Sequence, residues 1–260
     1  EHISNVLCSL RPKEDKLTFS AVFEMDGEGK VYKHWLGRTI IHSNHRFTYE
    51  EVQEIIETGE GLYRDEVILF NEIAKKLRAQ RFAKGAINFS STEVRFKLDE
   101  KGKPIGIVVK ESKESHQLIE EFMLLANKRV AEFVFNYKKG EEKNTFVYRT
   151  HDYPDAEKIH AFALFAQRFG HKLKIDSTSI ANSLNELSKK IEGKPEENVL
   201  QALAIRAMAK AKYSTAAKGH FGLAFEHYTH FTSPIRRYPD MMAHRLLQHY
   251  LNGGKPEDQE

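Results

Sequence analysis

A chain of 260 residues with 40% hydrophobic content can bury a sizeable core, and 40 Lys and Arg against 37 Asp and Glu leave a net charge of only +3. That balance excludes a polycation, so an anionic polymer would have to be gripped by a local basic groove. One cysteine, Cys8, excludes an intrachain disulfide and a cysteine-based zinc site, and no run approaches the roughly 18 apolar residues of a membrane helix, so a reducing, cytoplasmic setting without a membrane partner is expected.

The chain lacks an initiator Met, and residues 1–12 lead straight into strand-like sequence, as expected of a piece of a longer protein. Leu17, Phe19, Ala21, Phe23 and Met25 alternate with polar residues, the period of a half-buried strand. Asp26-Gly27 breaks the run and 31–41 resumes it, which predicts a hairpin. Thr48 to Glu51 reads as a capping box opening a short helix with Val52, Ile55 and Ile56 inward. Apolar residues at helical spacing predict a helix over 64–82, and a second hairpin follows over 94–98 and 105–109. Leu118, Phe122, Leu125, Ala126 and Phe133 form the stripe of a helix over 115–135. Beyond a charged loop at 138–144 come a short strand at 145–149 and a helix between Pro154 and Gly170. Further helices are predicted over 177–191 and 195–212, and a last one from Ser233-Pro234 to Leu251, bent at Pro239. Strands come early and helices late, which favours α+β, with a mixed or antiparallel sheet and helices mainly on one side.

The densest segment is 219–247, GHFGLAFEHYTHFTSPIRRYPDMMAHRLL. Ser233 can cap a helix and Pro234 suits its first position, which would put Arg236 and Arg237 in the first turn. Backbone N–H groups, the positive end of the helix dipole and a guanidinium would then converge on one anion, with phosphate as the natural guest. An ordinary capped helix with two solvated arginines is the competing reading. His151-Asp152 and Asp240/His244 have metal-compatible spacing, but 13 histidines make chance pairs common, and no further ligands lie near in sequence.

The stretch YTHFTSPIRRYPDMMAHRLL resembles the signature of the ribonuclease II/ribonuclease R (RNB) family, and its double Arg with Tyr-Pro-Asp is closest to the ribonuclease R branch. The segments LCSLRPKEDKLTFSAVFEMDGEGKV, KGAINFSSTEVRFKLDEKGKP, LIEEFMLLANKRVA and YRTHDYPDAEKI are similar to family segments, in the family's order. The resemblance implies a 3′→5′ exoribonuclease that degrades single-stranded RNA processively to nucleoside 5′-monophosphates with a metal-activated water, Mg²⁺ being the ion. By the same resemblance Arg236 contacts the scissile phosphate and stabilises transition-state charge, with Ser233 and Arg237 beside it as substrate-binding residues. Glu120 and Tyr49 match residues that read ribose near the 3′ end, where the 2′-hydroxyl distinguishes RNA. Phe89 matches the aromatic that stacks on the terminal base. Apart from the resemblance, Phe89 reads as core, Glu120 as solvated surface and Tyr49 as a residue flanking a helix.

Two-metal hydrolysis needs several converging carboxylates. The family draws them from an aspartate-rich motif N-terminal to the segment that resembles residues 1–12. The nine aspartates of this chain form no dense D-x-D or D-D cluster. The expectation is therefore an RNB catalytic domain truncated at its N-terminus, occupying 1–251, with 252–260 a frayed tail. It would lack the metal-binding part and the flanking oligonucleotide-binding modules and be inactive alone. A non-catalytic RNA-binding relative is the alternative.

Overall fold

The computed structural model describes residues 2–88, 93–110, 112–137 and 143–256, without the side chains of 93–95 and 107–110. Strands β1 (Asp15–Met25) and β2 (Val31–His42) form a long antiparallel ribbon that pairs Phe19 with Arg38 and Ala21 with Leu36. The alternation read in the sequence places Phe19, Ala21 and Leu36 against the core. The connecting turn forms where Asp26 Oδ1 accepts the N–H groups of Glu28 and Lys30, and Gly29 supplies a φ of +80°.

Helix α1 (Tyr49–Thr58) begins at the expected capping box. Glu51 N–H donates to Thr48 Oγ1 at 3.2 Å, and Thr48 N–H donates to the Glu51 carboxylate at 2.6 Å. Helix α2 (Arg64–Ala83) and the hairpin of β3 (Glu93–Leu98) and β4 (Pro104–Lys110) follow as predicted. Helix α3 (Glu114–Asn136) buries Leu118, Leu124, Leu125, Val130, Ala131 and Val134 along one stripe and is the central beam of the molecule.

Strand β5 (Tyr148–Thr150) pairs with β6 (Lys212–Ser214), so the helix expected to run to 212 stops early. Helix α6 spans Glu197–Ala207, because Lys212 to Ser214 are drawn into extended pairing with Thr150 to Tyr148. Helix α4 (Ala156–Gln167) starts two residues after the expected proline, Pro154. Asp155 caps it by accepting the N–H groups of Glu157 and Lys158. Helix α5 (Ile180–Ile191) packs Leu184, Leu187 and Ile191 with Ile159 and Phe162 of α4 and Leu200 of α6 into one core cluster. A second cluster joins the β1–β2 ribbon, α3, Phe146 and the last helix, α7 (Tyr238–Leu251), through Leu36, Val134, Phe231 and Leu247. Residues 252–255 fold back on α7: Gly254 N–H donates to His249 O at 2.9 Å, and the His249 ring bonds Lys255 O at 2.7 Å. The class is α+β, with antiparallel ladders between helices. No helix among the described residues is long and apolar enough to cross a membrane.

Candidate functional site

Helix α7 begins at Tyr238, with Pro239 in its first turn and Arg237 as N-cap. This corrects the expected start at Ser233-Pro234, the expected bend at Pro239 and the anion site built on that start. Residues 234–236 form a turn, and the N–H groups of Arg236 and Arg237 both donate to Ser233 O, at 3.3 and 3.1 Å. Ser233 N–H donates to Asp240 Oδ1 at 2.8 Å. The amides of Ser233, Arg236 and Arg237 are consumed internally, and Pro239 sits where a proline's missing N–H costs nothing.

What holds this turn is Asp240, fully buried. Its Oδ1 also accepts Arg237 Nη2 at 2.7 Å, so Arg237 is half-buried and turned inward. Arg236 stays on the surface, its Nη2 3.4 Å from Ser233 Oγ. A second clamp acts just upstream. Asn127, buried on α3, accepts the N–H groups of Phe231 and Thr232 through Oδ1 and donates Nδ2 to Tyr228 Oη at 3.2 Å. Burial raises the Tyr228 pKa, the Asn127 bond opposing it. His244 completes the frame by bonding Phe231 O through Nε2 at 2.7 Å.

Glu120 lies on the same helix as Asn127, seven residues earlier. A seven-residue step turns about 20° short of two full turns and rises about 10.5 Å, so both occupy one face of α3. Asn127 is covered by segment 228–232, whereas Glu120 is exposed. The two adjacent glutamates divide sharply. Glu121 is 3% exposed and accepts both Nε and Nη2 of Arg81, itself 6% exposed, while Glu120 stands 3.7 Å from Arg81 Nη2.

Tyr49, at the start of α1, is 44% exposed and stacks on His116 with centroids 4.1 Å apart and planes 9° from parallel. It lines a largely apolar cleft of about 870 Å³ with Arg46, Phe47, Tyr63, Phe70 and Ile119. The cleft thus reaches the residue next to Glu120. Ser233, Arg236 and Arg237 are brought together by the turn. Among the described residues no hydrogen bond or ion pair joins Arg236 to Tyr49 or Glu120. Phe89 lies outside the described residues.

No group of three or more His, Cys, Asp or Glu stands ready to hold a metal ion among the described residues. His151 has both ring nitrogens engaged by backbone, Nε2 with Ala209 O at 2.8 Å and Nδ1 accepting Gly222 N–H at 3.0 Å, and Asp152 pairs with Lys212 at 3.1 Å. These bonds fit a structural part for the Tyr-Arg-Thr-His-Asp run.

The RNB domain family model matches residues 1–253. The chain belongs to the RNB domain family. It is 38% identical to ribonuclease R 1 of Lactococcus lactis over 98% of this chain and 32% of that protein. It is similar to the structure of Mycoplasma genitalium RNase R in complex with ribose-methylated single-stranded RNA, with a TM-score of 0.86 and 29% identity, over 96% of this chain and 39% of that one. A likeness of fold alone extends to yeast Ssd1, a pseudonuclease, with a TM-score of 0.73 and 21% identity over 99% of this chain and 32% of that one. The chain spans about a third of the length of the ribonuclease R relative it matches. It is a relative of ribonuclease R, with an RNB fold built around α3. Sequence reasoning did not find Arg81, Glu121, Asn127 or Tyr228, and it weighed Asp240 only as a metal ligand. For Asn127 the available signal was its place one residue after Ala126 of the apolar stripe.

Proposed function

We propose that this chain is the strand-gripping part of a 3′→5′ exoribonuclease that hydrolyses single-stranded RNA processively to nucleoside 5′-monophosphates in the cytoplasm. The observation that carries the reading is Arg236, exposed on a turn that Asp240 and Asn127 lock from beneath, on a segment laid over the face of α3 that presents Glu120. A guanidinium on a rigid turn is suited to a phosphodiester, and it stabilises charge that grows there during reaction without reorganising. Ser233 and Arg237 set its position, Ser233 by accepting Arg236 and Arg237 by its bond to Asp240. The Glu120 carboxylate and the Tyr49 hydroxyl are suitable partners for ribose 2′-hydroxyls, and Phe89 for the terminal base.

Hydrolysis in this family is expected to use Mg²⁺. The carboxylates that the described residues bring together do not form a site for it. Asp240 Oδ1 is taken by Ser233 and Arg237, and Glu121 by Arg81. The chain by itself is accordingly expected to bind RNA without cleaving it. The test is fluorescence anisotropy of labelled oligo(A), alongside gel analysis of the same mixture with Mg²⁺. Binding that Arg236→Gln weakens at least tenfold supports the reading. Metal-dependent release of mononucleotides by this chain, or no RNA binding at all, contradicts it.

A second reading is an RNB relative that binds RNA without hydrolysing it. Assay of the whole protein with Mg²⁺ and with chelator separates the two.

A further inference from the structure

Strands β5 and β6 pair Arg149 directly with Tyr213, and the Arg149 guanidinium lies over the Tyr213 ring, 4.6 Å from its centroid. The Tyr213 hydroxyl and His230 Nδ1 share a hydrogen bond of 2.8 Å. His230 stands three residues before Ser233, on the segment that leads into the Arg236 turn, and Arg237, Arg149 and Arg236 act on its ring as positive charges and Asp240 as a negative one. That acid is already paired with Arg237. The Arg149 guanidinium lies on Tyr213, whose hydroxyl bonds His230, and neither Arg149 nor Arg236 is paired with a carboxylate among the described residues.

Like charges gathered in a partly buried place repel one another, the more strongly as solvent is excluded. The arrangement is relieved by an anion. Burial, with Arg237 next in effect, pushes the His230 pKa down to about 4, so the ring is neutral and adds no charge of its own. Tyr213 does two things here. Its ring holds the guanidinium plane by stacking, which leaves the N–H edge of Arg149 for a ligand, and its hydroxyl fixes the His230 ring. No described residue bonds His230 Nε2.

We propose that Arg149, Tyr213 and His230 form a second anion subsite beside Arg236, which takes the neighbouring phosphodiester of the same single-stranded RNA. Naming RNA as the source of that phosphate rests on the function proposed above. Arg149 makes the contact, and Tyr213 is a positioning residue acting through it and through His230.

The test is anisotropy of labelled oligo(A) with this chain at several salt concentrations, for wild type, Arg149→Gln, Arg149→Lys, Tyr213→Phe and Arg236→Gln. Arg149→Gln is expected to weaken binding about tenfold or more, the loss of a charge-assisted bond. It should also reduce the slope of log Kd against log salt by about 0.7, the value for one phosphate of a single strand. Arg149→Lys should restore the slope but not the full affinity, because a point charge replaces a stacked fork. Tyr213→Phe should lose about two- to tenfold with the slope unchanged. Wild-type Kd and slope in Arg149→Gln, with Arg236→Gln still weakened, overturn the subsite and leave the Arg236 reading standing. Should Arg149→Gln fail to fold, wild-type Kd in both Arg149→Lys and Tyr213→Phe overturns it instead. Absence of RNA binding by the wild type overturns both proposals.

Discussion

Asp240 reaches back seven residues to accept the Ser233 N–H at 2.8 Å, and this one bond decides where α7 begins. It holds the preceding residues in a turn and so keeps Arg236 out of the helix and on the surface. The same oxygen binds Arg237, so the carboxylate is both the staple of the turn and the counter-ion of its second arginine.

Removing that carboxylate leaves a half-buried guanidinium and a buried amide without partners. Asp240→Ala is expected to cost about 3–5 kcal/mol of stability, the usual cost of breaking a buried ion pair. Asp240→Asn keeps an acceptor for Ser233 N–H and should cost less. Urea denaturation of the two variants checks the order, and equal losses would assign the effect to charge alone.

The adjacent glutamates of α3 should separate cleanly. Glu121→Ala strands the buried Arg81 and should lower stability by about 3–5 kcal/mol. Glu120→Ala, at an exposed position, should stay within about 0.5 kcal/mol of wild type. Glu120→Ala should instead narrow the preference for RNA over DNA about two- to tenfold, the worth of one hydrogen bond to a 2′-hydroxyl. Parallel binding curves with oligo(A) and oligo(dA) measure this.

Asn127 serves Phe231, Thr232 and Tyr228 at once. Asn127→Ala leaves buried N–H groups unsatisfied, each costing about 1–3 kcal/mol. Because the turn then loosens, RNA affinity should fall as well. Amide exchange at Phe231 and Thr232 should accelerate in this variant and stay slow in Glu120→Ala.

Acid should unfold the protein through its imidazoles before its carboxylates. Burial, and next the neighbouring His151, pushes the His220 pKa down to about 3, and burial with Arg237 pushes that of His230 to about 4. The unfolded chain takes up these protons near the ordinary histidine value of about 6.5, whereas the fold refuses them until far lower. Stability from these groups is therefore complete above about 6.5 and falls as pH drops towards about 4. Carboxylates held low in the fold, such as Asp26 and Glu51, are ordinarily 3.8 and 4.5, so they enter only at the bottom of that range. The urea midpoint should decline between about pH 7 and pH 5, and decline less in His220→Phe. A level or rising midpoint would contradict this.

Where the deciding contact is local, the chain could be read. Thr48 and Glu51 bond each other within one turn, and the Leu118, Leu125 and Phe133 stripe foretold α3 from its period. The start of α7 was misread because Ser233 looks like a cap, while the competing acceptor, Asp240, lies beyond the turn it folds. Strand β6 is three residues long, too short for a period, and its partner β5 lies far back in the chain. Glu120 and Glu121 are identical neighbours, and only the packing of Arg81 from α2 tells the buried one from the exposed one. The Arg149, Tyr213 and His230 cluster draws on three separate segments, and nothing in their spacing announces it.

The most direct test is a crystal structure of this chain with a short oligo(A). A phosphodiester within hydrogen-bond distance of the Arg236 guanidinium, on a strand whose ribose 2′-hydroxyls meet Glu120 and Tyr49, is the predicted result. A strand bound elsewhere, or one that leaves Arg236 in solvent, contradicts the account.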